Sequence, residues 1–159
     1  MPRLPDDGMP QALRVFQFHG VVLDWQGKAN AEGDCPFCEG EGKLSVSCDE
    51  GLWNCFRCGE HGNPLVFLRK LWDESDKRTD GATSELAGQR GLLFPETLTA
   101  WGAAVSITTK DWVLPGFGPD GKMDTLYKWS GSPKRLLLNS PGFHHGLFLP
   151  PQLDRKSVV

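Results

Sequence analysis

The sequence predicts an α+β chain: a small antiparallel β-hairpin sheet held by four cysteines and flanked by short helices, then a second β-rich segment. Three observations predict it. Two Cys-x-x-Cys pairs, Cys35-Pro-Phe-Cys38 and Cys55-Phe-Arg-Cys58, are separated by sixteen residues. Between the pairs, residues 43–47 and 52–56 have strand-like composition on either side of the turn cluster Asp49-Glu50-Gly51. From residue 112 the chain again reads as a hairpin, with strands at 112–117 and 124–129 around a Gly-Pro-Asp-Gly-Lys turn.

In chain order, residues 1–10 hold Pro2, Pro5, Gly8 and Pro10, too many breakers for a regular element, and read as a loose arm. A short helix follows from Gln11 with Leu13 and Phe16 on one face, and then the alternation of Val21, Leu23 and Trp25 predicts a strand. His19, at this junction, reads as a structural histidine. In the ribbon, a two-residue gap lets both sulfurs of a pair turn toward one ion. Two such pairs supply the closed, tetrahedral, all-thiolate shell of structural zinc, with Cys35, Cys38, Cys55 and Cys58 as ligands. Disulfides belong to secreted chains, and a thioredoxin-like redox pair needs one Cys-x-x-Cys near a βαβ pattern, so both alternatives fit less well. Cys48 lies inside the hairpin and reads as a small, partly buried thiol, because four ligands already fill a tetrahedron. His61 is a replacement ligand only in a damaged site. Gly59 suits the left-handed backbone of a chain leaving its second ligand.

Asn63 as N-cap and Pro64 as first helical residue predict a helix to about Trp72, with Leu65, Leu68, Leu71 and Trp72 as its apolar stripe and Arg69 and Lys70 facing away. Residues 73–83 read as a mixed-charge linker, and the cluster Asp73, Glu74, Asp76 as solvated rather than metal-binding. A short helix is expected over 84–90, and another over 96–101 between Pro95 and Gly102. Further short strands are expected at 135–138 and 147–149. The expected domains are therefore 1–72, a ribbon with flanking helices; 73–90, linker and short helix; and 91–159, a second α+β segment. The 28 or so residues of the ribbon bury too little to fold unaided. Structural zinc supplies about 10–16 kcal/mol of apparent binding free energy, which becomes folding free energy.

The run Cys35-Pro-Phe-Cys38, Leu44-Ser-Val46, Trp53-Asn-Cys-Phe-Arg-Cys-Gly59 and Gly62-Asn-Pro-Leu-Val-Phe-Leu68 resembles the N-terminal zinc-binding domain of bacterial and phage-type DNA primases. Cys38 stands where the cellular form usually has His, as in the four-cysteine form of phage primase-helicases, and Lys43-Leu-Ser replaces the family's Pro-Ser-Phe. More loosely, the later hairpin, its basic segment and Gly146-Leu-Phe-Leu149 resemble the approach to a Toprim catalytic core. The resemblance implies a cytoplasmic protein that reads a single-stranded DNA template so that RNA primers can be started in DNA replication. It implies a primase catalytic core or a replicative helicase as partner. Mg2+ or Mn2+ is expected only for that core. A strand similar to Lys156-Ser-Val-Val159 precedes the family's first catalytic glutamate, and no catalytic carboxylate set is visible, so no catalytic residue is expected in this chain. There is no signal-peptide pattern, and no apolar run reaches membrane length, so no membrane partner is expected.

The net charge is −3, and between Asp34 and Gly62 six acids face only Lys43 and Arg57. Such a surface gains little from phosphate neutralisation, so a DNA-binding ribbon here must read bases. Lys43, Trp53, Phe56 and Arg57 are the candidates, as stacking platforms with cations; Trp53 and Phe56 serve equally well as the ribbon's core. Lys128, Lys134 and Arg135 form a second basic group, either a nucleic-acid groove or ordinary surface charge. His144-His145 reads as a turn, since adjacent histidines do not readily face one ion. A function of another class also fits: a stand-alone zinc-ribbon adaptor whose acidic surface binds protein.

Overall fold

Pro10 accepts the N–H of Leu13 and opens a 3-10 turn, Gln11–Leu13, that runs directly into helix α1 (Arg14–Phe18). The turn and helix bury Leu13, Val15 and Phe16, as the spacing of Leu13 and Phe16 predicts. The computed structural model describes residues 7–79, 88, 95–129 and 137–146. The chain divides into two units, Met1–Pro64 and Leu65–Val159. The expected loose arm is corrected from Asp7 onward. The Asp7 carboxylate takes both terminal nitrogens of Arg14, whose side chain is only 7% exposed. This hydrogen-bonded pair also holds the Asp7 carboxyl below its usual range.

The first unit is a five-stranded antiparallel sheet in the order β1 (Leu23–Asp24), β2 (Asn30–Gly33), β3 (Leu44–Ser47), β4 (Trp53–Cys55), β5 (His61–Gly62). Val21 and Leu23 are buried while Val22 and Asp24 are exposed, so the predicted alternation holds, although β1 itself is short. Strand β2 was not expected, because Asn-Ala-Glu-Gly has poor strand propensity; it is recruited by pairing, with Ala31 opposite Val46. Ala31, Leu44, Val46 and Trp53 form the core of the sheet. At the hairpin tip Gly51 has φ +72, and a Cβ there would meet Pro64 Cγ at 2.9 Å and the Ala12 carbonyl at 3.1 Å. Only glycine lets the tip lie so close to its neighbours. His19 is fully buried, its ring edge-on to Phe18.

Helix α2 runs over Pro64–Lys77, five residues beyond the expected end, so the first part of the predicted linker is helical. Its charges are laid out at helical spacing: Lys77 pairs with Asp73 and Glu74, and Arg78 approaches Glu74. The buried stripe is Phe67, Leu68, Leu71 and Ser75 rather than Leu65, Leu68, Leu71 and Trp72. Arg69 does not face away. It is half-buried, and its Nε and Nη2 both donate to the Met123 carbonyl.

Helix α3 (Pro95–Ala100) ends at Gly102, φ +76, whose carbonyl accepts the Trp72 indole N–H at 2.7 Å. A second antiparallel sheet follows, in the order β6 (Ala104–Val105), β7 (Trp112–Phe117), β8 (Met123–Trp129), β9 (Leu137–Asn139). One face buries Ala104, Val113, Pro115 and Leu126; the other buries Thr125 and Tyr127. The β6–β7 turn closes with Ser106 N–H donating to the Asp111 carbonyl and Lys110 N–H to the Ser106 carbonyl, with Lys110 at φ 63. The 140–146 segment lies flat on the sheet. Tyr127 Oη accepts from Gly146 N–H and contacts His145 Nδ1, and the Gly116 and Gly146 backbones nearly touch. The predicted helix over 84–90, apart from Gly88, and the strand at 147–149 lie outside the described residues, as do the first two residues of the strand expected at 135–138.

Two hydroxyls late in α2 and just past it anchor the start of the second sheet. Ser75 Oγ donates to the Leu71 carbonyl and accepts Ile107 N–H, and Thr79 Oγ1 accepts Val105 N–H. Ser75→Ala removes the acceptor for Ile107 and is expected to cost about 1–3 kcal/mol. It should lower the urea midpoint of the second unit without changing the slope.

Candidate metal centre

Each Cys-x-x-Cys pair sits in a turn of the same construction. In the first, Cys35 N–H donates to the Gly40 carbonyl and Glu39 N–H to the Cys35 carbonyl; in the second, Cys55 N–H donates to Glu60 and Gly59 N–H to Cys55. The residue after each second cysteine is left-handed, Glu39 at φ 57 and Gly59 at φ 77. Gly59 thus has the conformation expected of it, while Glu39 shows that a side chain is tolerated at the matching position of the other turn. Strand pairing of Leu44 with Cys55 sets the two turns face to face. Asp34 closes the loop between the first turn and β3, its carboxylate accepting Gly42 N–H at 2.8 Å.

The four sulfurs converge, their ligand atoms lying within 4.8 Å of one another. Across the turns, Cys35 and Cys58 sulfurs are 3.9 Å apart and Cys38 and Cys55 sulfurs 3.5 Å. A tetrahedron of thiolates at zinc–sulfur distances has edges of about 3.8 Å, whereas a disulfide needs about 2.05 Å. The donor set therefore fits zinc and not a pair of disulfides. Burial pushes the Cys35 thiol up to about 12, and it also raises Cys58. Burial acts in the same direction on Cys55, but the N–H groups of Cys58 and Arg57 and the neighbouring thiols outweigh it and bring Cys55 down to about 6. Such unequal acidities arise when close sulfurs compete to carry charge; a divalent ion among them lets all four ionise.

Cys48 is half-buried and donates to the Lys28 carbonyl, outside the cluster. His61 is exposed on β5 with Nδ1 at 3.1 Å from the Gly59 carbonyl, and it is not part of the sulfur cluster. Trp53 is corrected as a base-stacking candidate. It is 2% exposed, its ring tilts against Phe37, and its Nε1–H donates to the Asn63 carbonyl, so no base reaches its face. Strand parity contained this answer: Trp53 shares a face with the ligand Cys55, two residues on, while Asn54 points out. Phe56 is 73% exposed. Lys43 and Arg57 are exposed, and their stems converge over Gly40, where a Cβ would meet Arg57 Cδ at 3.0 Å and Lys43 Cγ at 3.2 Å. Lys128 is half-buried on β8, where burial pushes its ammonium down and the Asp111 carboxylate opposes that shift. Lys134 and Arg135 lie outside the described residues.

Among known proteins, residues 15–97, just over half of the chain, match the CHC2 zinc finger family. A DNA primase from Halalkalibacterium halodurans is 30% identical over 103 residues, which cover 61% of this chain and 16% of the relative. The chain thus spans about a sixth of that relative's length. A solved structure of Aquifex aeolicus primase, its zinc binding and RNA polymerase domains, is similar at 14% identity and a TM-score of 0.34, over 87% of this chain and 54% of that one.

Cys55→Ser is expected to abolish stoichiometric zinc and to unfold the first unit, while the second, with its own sheet and core, keeps its near-UV spectrum. Metal analysis with circular dichroism checks both halves. Gly59→Ala meets no atom within 4 Å but must hold φ +77, and it should destabilise the loaded ribbon by about 1–2 kcal/mol. The zinc-bound form carries fewer protons on its thiols than the free form, so affinity rises with pH and falls on acidification. Chelator competition across pH reads that sign.

Proposed function

Because the chain belongs to the CHC2 zinc finger family, we propose that it is the template-reading part of a DNA primase, a zinc-held ribbon that contacts single-stranded DNA so that RNA primers can be started in replication. The observation that carries this reading is the surface of the second cysteine turn. Phe56 and Arg57 are the two residues between ligands Cys55 and Cys58, so the metal fixes their backbone; Phe56 is exposed and its N–H donates to the Lys43 carbonyl, while the Arg57 and Lys43 stems meet over Gly40. An exposed aromatic beside cations is suited to one or two unstacked bases.

Zinc bound by Cys35, Cys38, Cys55 and Cys58 supplies a crosslink and takes no part in bond making. The six acids of the ribbon keep nonspecific phosphate attraction low, leaving stacking and base edges to decide where it binds. Stacking is worth about 1–3 kcal/mol per base. Modest affinity is sufficient when a tether raises the ribbon's effective concentration at a catalytic core. That core, or a replicative helicase, is the partner in this reading, in the cytoplasm, with Mg2+ or Mn2+ bound by the core's carboxylates. No helix among the described residues is long and apolar enough to cross a membrane.

Anisotropy titration with labelled single strands is the direct test: salt-sensitive, sequence-dependent binding is expected, and no binding at high concentration favours the protein-binding adaptor. Phe56→Ala and Arg57→Ala should each weaken binding by about 5- to 100-fold with zinc content unchanged. The zinc-loaded chain alone is expected not to incorporate ribonucleotides on single-stranded DNA with magnesium or manganese. Zinc-dependent synthesis in that assay would place the catalytic carboxylates within these residues.

A further inference from the structure

The four sulfurs of the metal site differ in their access to solvent. Cys35 and Cys55 are buried, Cys38 is half-buried and Cys58 is exposed. The Cys55 sulfur is also held within its own turn, where it accepts the N–H groups of Arg57 and Cys58. Bonds of that kind draw charge from a thiolate and make it a poorer nucleophile. A divalent ion among the four keeps every ligand ionised, so exposure decides which of them an oxidant in solution reaches first. Exposure selects Cys58.

Geometry selects its partner. The Cys35 sulfur stands 3.9 Å from that of Cys58, across the two turns, while Cys38 faces Cys55 at 3.5 Å. Closing the first gap by about 2 Å brings the two sulfurs to bonding distance. A bridge inside the second turn would instead pull the Cys55 sulfur away from two N–H groups. Joining Cys35 to Cys58 leaves Cys38 and Cys55 still beside each other. The fifth cysteine, Cys48, donates to the Lys28 carbonyl outside the cluster and offers no nearer partner.

We propose that Cys58 is a site of modification by peroxide, and that its oxidation joins it to Cys35 in a disulfide that opens the metal site. The Cys58 thiolate attacks one oxygen of hydrogen peroxide, the O–O bond breaks with loss of hydroxide, and a sulfenic acid forms. The Cys35 thiolate then attacks that sulfur and expels a second hydroxide. The two thiolates give up two electrons, and the peroxide, with two protons taken from solvent, becomes two waters. Cys38 and Cys55 alone are too few to hold zinc, which is released. Because the bridge crosses the turns, it keeps them together at a shorter sulfur spacing than the ion does, and it moves one end of the segment that carries Phe56 and Arg57. The inference rests on the four-cysteine site and is independent of what the ribbon binds.

The test uses the zinc-loaded 159-residue chain and limiting hydrogen peroxide, with a chromogenic chelator to read released zinc and iodoacetamide to block free thiols before peptide mapping. Trypsin cuts after Lys43 and Arg57, which separates Cys58 from Cys55 and from the first pair. About one zinc should be released per bridge formed, the first bridge should be Cys35 to Cys58, and dithiothreitol with zinc should restore the starting state. Any other first product overturns the proposal, whether a bridge within one turn, a bridge to Cys48 or a sulfinic acid at Cys58. Zinc retained while thiols are consumed overturns it as well. Cys38→His and Cys58→His each keep a zinc donor at the changed position. The first should still form the bridge, while the second should lose it and release zinc more slowly; equal release from the two overturns the assignment of Cys58. If either variant fails to load zinc, the wild-type map decides. A wild-type chain that binds no zinc overturns the metal reading along with this one.

Discussion

The convergence of four sulfurs is the constraint on which the first unit depends. Its strands are two to four residues long, and its apolar core is Ala31, Leu44, Val46 and Trp53 with Leu13, Val15, Phe16, Val21 and Leu23 from the segment before the sheet and its first strand. An apolar set of that size offsets little of the entropy of ordering some sixty residues. A divalent ion among Cys35, Cys38, Cys55 and Cys58 joins two turns that the hairpin alone would hold loosely. It thereby fixes Phe56 and Arg57, which lie between ligands. Stability and the proposed recognition are in this way tied to the same bond set: any change that weakens metal binding also loosens Phe56 and Arg57, the residues proposed to contact a single strand.

The second unit is held differently. Its sheet pairs strands of up to seven residues, and its anchors are hydroxyls, an indole and a carboxamide that satisfy specific backbone groups: Ser75, Thr79 and Trp72 toward residues 102–107, and Asn139 and Ser140 where the 140–146 segment begins. Among the described residues the sulfur cluster of the first unit has no counterpart in this one.

The parts most legible in the sequence were those with strong local chemistry. Cysteine spacing identified the metal site, Asp49-Glu50-Gly51 and Gly-Pro-Asp-Gly-Lys identified the hairpins, and Asn63-Pro64 identified the start of the long helix. The end of that helix was not legible, because Asp73, Glu74, Lys77 and Arg78 look alike whether they lace a helix or solvate a loop; burial of Ser75 decides it. Strand β2 was invisible for a related reason, since Asn-Ala-Glu-Gly is a strand only by virtue of its partner. For Trp53 the parity with Cys55 was available but is decisive only once the strand is known to be continuous through both.

The β6–β7 turn throws light on how the cysteine turns come into being. Residues 106–111 close with the same two backbone bonds and the same left-handed fifth residue as 35–40 and 55–60, yet Ser106 and Thr109 stand where the cysteines do. A hexapeptide that closes this way around hydroxyls needs no ion to find its shape. The cysteine turns are equally local, so each forms on the timescale of a short loop, ahead of the sheet. Zinc then has a single search left to complete, the closure of the sixteen-residue loop between two turns already shaped to receive it.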